Sequence, residues 1–329
     1  MRLCGYDPRF AILINMLMKK SVFSLLTACG LVFGAGVPDG YTLIMGDEFD
    51  QGVLNTDNWS KFDYNQNAPN INWAQFGSND DAMYVFDNEA GTLNLKARYG
   101  DYTSQKDQTG ANDTYAAGQI YSNLAFQYGY VEVRARMDSA YGLWPAIWLY
   151  TTDGSKGGEI DMLEHLNYAG AYYTTTHGSY NTTCVSYNGT RAEWHTYGML
   201  WEPGRITMYL DGNQVVSWTN TATHDKEGNL FRLRLTQQIA GSWVGYSAET
   251  MLNSEALQNQ VNNNYDDDGN LIDSDGKDYE IDYVRIYQKT EQPVLLSLRG
   301  SSAVSVPEPA SASLCLLALA ALSGRRRRR

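Results

Sequence analysis

The stretch YGYVEVRARM, residues 128 to 137, alternates with period two: Val131, Val133, Ala135 and Met137 fall on one face, and Glu132, Arg134 and Arg136 on the other. Successive side chains of a strand point to opposite sides of a sheet, so this is the pattern of a half-buried β-strand. The same reading spreads outward. TLNLKAR (92–98) repeats it with Leu93, Leu95 and Ala97. ITMYLDGNQVVSW (206–218) sets Asp211 and Gly212 between two strand-like runs, a hairpin signal, and YEIDYVRIYQ (279–288) reads as a closing strand. Only SAETMLNSEALQNQV (247–261) carries a helical pattern, and a weak one. Many strands without alternating helices, and no Pro- or Gly-rich linker inside 40–290, predict one all-β domain over 37–290. Its expected form is an antiparallel β-sandwich jelly roll with a concave cleft. Such a groove suits an extended polymer better than a compact ligand.

The composition agrees: 24 Tyr, 8 Trp and 30 Gly in 329 residues, with 19% charged, suit a sheet-rich protein with many aromatic rings on its surface or cleft. The two ends read differently. LMKKSVFSLLTACGLVFGAG places Lys19 and Lys20 before an apolar run from Val22 to Ala35, the layout of a secretory signal over 1–36, with Met16 or Met18 as alternative starts. Cleavage near Gly36 is expected over lipidation at Cys29. At the other end Val306-Pro-Glu-Pro309 is followed by a thirteen-residue apolar run, Ala310 to Leu322, and by Arg325 to Arg329. That run is short for a span of about 20 residues. The segment 306–329, after a linker at 291–305, resembles a PEP-CTERM sorting tail, which implies export in a bacterium with an outer membrane. Membrane contact is expected only through these two segments.

Residues 37–324 carry 16 Lys and Arg against 36 Asp and Glu, a net charge of −20. Nucleic acid is excluded as a partner, because binding it rests on neutralising phosphates with basic residues. Cys184 is the sole cysteine between the ends, so no internal disulfide and no cysteine chemistry are expected. The chain is expected to act as a monomer.

The candidate chemistry lies in GGEIDMLEHL (157–166), where Glu159, Asp161 and Glu164 are spaced by one residue and then by two. On a regular strand Glu159 and Asp161 share a face and Glu164 points the other way. A β-bulge in which Met162 and Leu163 oppose a single partner residue returns Glu164 to the face of the other two acids and sends Ile160, Met162 and Leu163 to the core. Glu159 and Glu164 then stand roughly 13 Å apart along the backbone. Leaning side chains close that to about 5 to 5.5 Å between carboxyls, the separation of a retaining glycosidase rather than the wider one of an inverting enzyme. Carboxylates so crowded cannot all ionise cheaply, so one becomes a proton donor while another remains a nucleophile.

Around these acids the chain resembles glycoside hydrolase family 16, in the branch whose motif is ExDxxE with a bulge. GDEFD (46–50), Trp59, AGQIYSNLAFQYGYVEVRARM (117–137), GLWPAIWLY (142–150), TTTHGSYN (174–181), EWHTYGMLWEPGRITMYLDGNQV (193–215) and EIDYVRIYQ (280–288) carry the resemblance in order. It implies a retaining endo-β-glycosidase with Glu159 as nucleophile, Glu164 as general acid and then base, and Asp161 orienting and tuning Glu159. Trp144 and Trp148, four apart on the strand before the motif, are expected to stack on sugars, and His177 to stand beside the acids from the neighbouring strand. Gln238 and Trp243 are further candidates for the cleft. Trp194 and His195 read as core or sheet-edge residues.

No cofactor is expected for catalysis. The resemblance implies a structural calcium at Asp282. Separately, NYDDDGNLIDSDGKD (264–278) spaces Asn264, Asp266, Asp268, Gly269 and Asp275 like a calcium loop, but it lacks flanking helices and ends in Asp rather than Glu. A solvated loop is the preferred reading there. For substrate, the EHLN run (164–167) followed by THGSY leans toward endo-β-galactosidases acting on keratan or mucin-type glycans, with endo-β-1,3(4)-glucanase as the alternative. A lectin-like jelly roll that binds glycans without cutting them is the reading from another class.

Overall fold

The computed structural model describes residues 37–61, 76–104, 113–178, 181–187, 189–266, 268–290 and 296–297. The proposed signal and sorting segments lie outside these residues.

Two antiparallel sheets face each other. The first runs, in spatial order, Asn181–Ser186, Ala171–His177, Glu159–His165, Ala146–Thr151, Phe231–Thr236, then the second half of Thr114–Ser122, and Trp59–Lys61 at its edge. The second runs Asn213–Trp218, Arg205–Leu210, His195–Glu202, Gly129–Met137 and Lys277–Lys289. The long last strand pairs through its first half with Thr92–Gly100 and through its second half with Tyr41–Asp47. Thr114–Ser122 passes from one sheet to the other: Ala117 pairs with Ala97 in the second, and Gln119 with Thr236 in the first.

The alternation predicted for 128–137 is realised. Val131, Val133, Ala135 and Met137 are buried between the sheets, against Ile147, Leu149, Ile160, Leu233 and Leu235 from the facing sheet. The expected solvent face is only partly wet: Glu132 is buried under hydrogen bonds from the Tyr130 and Tyr283 hydroxyls, while Arg134 and Arg136 both lie over the Trp194 ring. The Asp211-Gly212 turn has φ of 51° and 76° at its two central residues, the left-handed pair that matches strand twist in a two-residue hairpin. His195, buried, is held between Asp211 Oδ2 at 2.8 Å and the Thr190 carbonyl at 3.0 Å.

The weak helical run at 247–261 is two short helices, Ala248–Leu252 and Glu255–Asn262. Ser254 interrupts it, because its hydroxyl caps the second helix by accepting from Leu257 N. The acidic stretch 264–278 forms a small ribbon, Asn264–Tyr265 against Leu271–Asp273. Two of its acids have local partners: Asp266 accepts from the Asp268 and Asn270 amides, and Asp275 pairs with Lys96 and Arg98.

Candidate active site

The strand Glu159–His165 carries the predicted bulge. Against Ala171–His177, Asp161 stands opposite Thr175 and Glu164 opposite Tyr173, so Met162 and Leu163 together face Thr174. Against Ala146–Thr151 the register shifts at the same place, with Asp161 opposite Trp148, Leu163 opposite Ile147 and Glu164 opposite Ala146. Ile160, Met162 and Leu163 enter the core, and the Thr174 hydroxyl donates to the Asp161 carbonyl at 2.7 Å, fastening the bulge.

Three rows of side chains follow across the curved face. The first is Arg232, Tyr150, Glu159 and His177; the second Arg234, Trp148, Asp161, Thr175 and Thr182; the third Thr236, Ala146, Glu164, Tyr173 and Cys184. They floor a cleft of about 340 Å³ that is lined by Trp144, Ala146, Trp148, Glu159, Asp161, Glu164, Thr175, His177, Thr182, Gln238 and Trp243. Eight of the nine residues singled out from the sequence therefore meet in one place.

Electrostatics separates the acids. Burial, then the neighbouring Asp161 charge, pushes Glu159 up to about 7, with His177 and Arg234 pulling it back. Burial and Asp161 push Glu164 further, to about 8, against an opposing pull from His177. Asp161 is 2% exposed and burial raises its pKa too, while the hydrogen bond from His177 holds it down. His177 Nε2 lies 3.0 Å from Asp161 Oδ2 and 3.4 Å from Glu159 Oε1, and the bond to Asp161 lifts its own pKa to about 9. Near neutral pH the site thus offers one cation and two carboxyls whose proton affinity is raised, the set needed for acid–base work on a polar bond.

Several expectations are corrected. Trp144 is not on the strand with Trp148: the strand begins at Ala146, after Pro145, and Trp144 N donates instead to the Gln238 carbonyl at 2.8 Å. Neither tryptophan is an open stacking platform. Trp144 is 8% and Trp148 5% exposed, Trp148 Nε1 donates to Thr236 Oγ1, and the Arg234 guanidinium lies 4.7 Å from the Trp148 ring centre. Trp243, 49% exposed beside Tyr173, offers the free ring. Gln238 is buried, its amide donating to Thr236 Oγ1 at 3.2 Å.

Asp282 lies away from the cleft. It is the extra residue of a bulge between Lys277–Lys289 and Gly129–Met137, and its carboxylate is engaged by the Arg134 guanidinium. A guanidinium in that position does not fit a calcium donor set. Among the described residues, the His, Cys, Asp and Glu side chains close enough to share one ion are Glu159, Asp161 and His177, within 4.8 Å of one another.

Arg234, Thr236, Thr175 and Thr182 were missed from the sequence. FRLRLT (231–236) does alternate, with Arg232, Arg234 and Thr236 on one face, but alternation does not say which strand is its neighbour.

The C-terminal residues 305–329 match the PEP-CTERM protein-sorting motif. The chain is 24% identical to a β-glucanase of Rhodothermus marinus over 84% of this chain and 97% of that protein. It is 29% identical to a keratan-sulfate endo-1,4-β-galactosidase of Sphingobacterium multivorum over 53% of this chain and 42% of that protein. Among solved structures, the catalytic domain of an endo-1,3-β-glucanase from Thermotoga petrophila superposes with a TM-score of 0.59 at 22% identity, covering 76% of this chain and 99% of that one, and shows the same fold. A structure described with endo-acting O-glycanases of the human gut microbiota superposes equally well, with a TM-score of 0.58 at 23% identity over 79% of this chain and 95% of that one. Residues 70–265 match glycosyl hydrolases family 16, and the chain belongs to that family of glycoside hydrolases.

Proposed function

We propose that this protein is an exported, retaining endo-β-glycosidase in which Glu159 is the nucleophile and Glu164 the acid and then the base. The observation that supports this most is the bulge, which puts both glutamates on one cleft face with Asp161 between them. In the first step the Glu159 carboxylate attacks the anomeric carbon as Glu164 gives its proton to the leaving glycosidic oxygen. In the second, the Glu164 carboxylate takes a proton from water, whose oxygen displaces Glu159 from the sugar. Asp161 and His177 hold the Glu159 carboxylate in place. Loss of either glutamate would have favoured a non-catalytic lectin, and both are present.

The substrate we propose is a neutral β-linked polysaccharide, since no lysine or arginine among the described residues lines the cleft to bind an anionic chain. Of the EHLN run that leaned toward galactose-containing glycans, only Glu164 lines the cleft. His165 is fully buried, with Arg191 Nη1 3.0 Å from its Nε2, and Asn167 ties loops together by accepting from Gly142 N and donating to the Val244 carbonyl. These residues shape the loops and do not read the sugar. A β-1,3(4)-glucan therefore takes first place, supported by the β-glucanase relative matched along nearly its whole length. The galactose-containing glycans are the second reading, supported by the keratan-sulfate endo-β-galactosidase relative.

Release of reducing ends from laminarin, mixed-linkage glucan, agarose, keratan and desialylated mucin distinguishes the two. NMR of the first-formed anomer tests retention, and an inverted product would contradict it. Glu159→Gln should abolish turnover while leaving oligosaccharide binding measurable.

A further inference from the structure

The segment 219–229, between Asn213–Trp218 and Phe231–Thr236, contributes nothing to the cleft lining, yet it holds the first row of the cleft by its main chain. His224 at its centre is fully buried, and its Nε2 lies 3.0 Å from the Glu159 carbonyl oxygen. Facing a carbonyl, that nitrogen must donate. Burial also lowers the imidazole pKa, which favours the neutral form with its single N–H. Around it, Asn229 Nδ2 donates to the Gly157 carbonyl at 2.9 Å, and Lys156 Nζ to the Glu227 and Gly228 carbonyls at 3.0 and 2.9 Å. On the neighbouring strand, Thr223 Oγ1 donates to the Gly178 carbonyl at 3.2 Å, one residue past His177. Gly158 closes the fit: its φ is +117°, and a Cβ there would lie 2.8 Å from Phe231 Cζ and 3.3 Å from His224 Cδ2. The chain entering Glu159 and the chain leaving His177 are fastened to one loop.

We propose that His224 is a positioning residue for the reaction, fixing through the Glu159 carbonyl the backbone from which the Glu159 carboxylate meets Asp161 and His177. The proposal rests on the reading of Glu159 as nucleophile. Glu159, the first residue of its strand, pairs with Tyr150 and His177 near the end of both ladders, and a displacement of about 1 Å at a reacting group costs on the order of 10²-fold in rate. A buried donor at that carbonyl adds a restraint from outside the sheet. The His224 ring never touches the substrate space, so its effect reaches the chemistry only through Glu159.

His224→Phe keeps a ring of similar bulk and removes the donor; His224→Gln restores an amide N–H. The Phe variant should keep KM for oligosaccharide within about twofold, lose at least about tenfold in kcat, and shift the acidic limb of its pH–rate profile. The Gln variant should recover most of kcat and return that limb toward the wild-type position. A folded Phe variant with wild-type kcat and limb overturns the proposal, as does a Gln variant no better than Phe at equal Tm. If the Phe variant does not fold, Asn229→Ala carries the test: it loosens the same loop from Gly157, and an unchanged kcat and limb there overturn the proposal. Glu159→Gln in the same assay keeps the two readings apart, because turnover in that variant removes the nucleophile assignment whatever His224 does.

Discussion

His177 Nε2 stands 3.0 Å from Asp161 Oδ2, the cross-strand bond of a half-exposed histidine to an acid that is 2% exposed. The pair lowers the cost of leaving Asp161 charged in a dry place, and through Asp161 it sets the field on both glutamates. Replacing His177 by Asn removes a positive charge that holds Glu159 and Asp161 down. The acidic limb of the kcat/KM profile should move to higher pH by roughly one unit. A limb that stays in place would show that the limb does not report this cluster.

With Glu159 lifted to about 7 and Glu164 to about 8, the proposed reaction needs the first ionised and the second protonated. The rate profile should be a bell with its maximum between these values, its two limbs belonging to the coupled pair as a whole. A maximum near pH 5, with activity gone by 7, would contradict the burial that raises both groups.

The same groups act on stability, and their signs agree. The folded-state values of Glu159 and Glu164 lie above the ordinary 4.5, so the stability they contribute is complete below pH 4.5 and is lost as pH rises through about 7 and 8. His177, raised from 6.5 to about 9, contributes stability below 6.5 that is lost as pH rises through 9. Tm should therefore decline from pH 5 to pH 9. Glu164→Gln should flatten the lower part of that decline and raise Tm at pH 8, a gain in stability at the expense of activity.

The bulge makes a sharper prediction. Exchanging Leu163 and Glu164 keeps the bulge but turns the acid toward the core and puts leucine at the acid position. The variant should be inactive and strongly destabilised. Met162→Ala instead leaves both glutamates facing the cleft; it should cost about 2 to 5 kcal/mol by denaturant unfolding and leave the activity of the folded protein largely intact. Equal loss of specific activity in both variants would mean that packing, and not side-chain direction, is what the bulge supplies.

Parity explains why so much of this site was legible beforehand. Side chains on a strand have two choices of direction, so acids at 159, 161 and 164 can share a face only if one residue is absorbed, and the apolar identities of Met162 and Leu163 say where. Arg234 and His224 escaped for a different reason. Their positions depend on which distant strand or loop lies alongside, and a single sequence carries no local mark of that pairing. The tryptophans show a third limit: a ring at the cleft can be its wall, as Trp148 is under Arg234, or its exposed surface, as Trp243 is, and spacing treats both alike.

That difference is measurable. Trp243→Ala removes a half-exposed ring and should raise KM for polymer about three- to tenfold, the worth of one stacking contact, with Tm nearly unchanged. Trp148→Ala removes a buried ring and should cost about 3 to 5 kcal/mol in stability. The reverse pattern would assign the sugar platform to Trp148.

The last prediction concerns calcium. The Asp282 carboxylate, half-exposed at its bulge, is joined to Arg134, whose guanidinium also lies over Trp194. A divalent ion at Asp282 would have to displace a cation that is held on two sides, and an ion pair of this exposure is itself worth only about 0 to 1 kcal/mol. Chelation with EDTA should therefore leave Tm where it was, and added calcium should not raise it. Arg134→Ala frees the carboxylate: if calcium then raises Tm, in that variant alone, the guanidinium is what keeps the ion out. A fall in Tm on chelation of the unmodified protein, reversed by calcium, would show instead that Asp282 exchanges Arg134 for the metal.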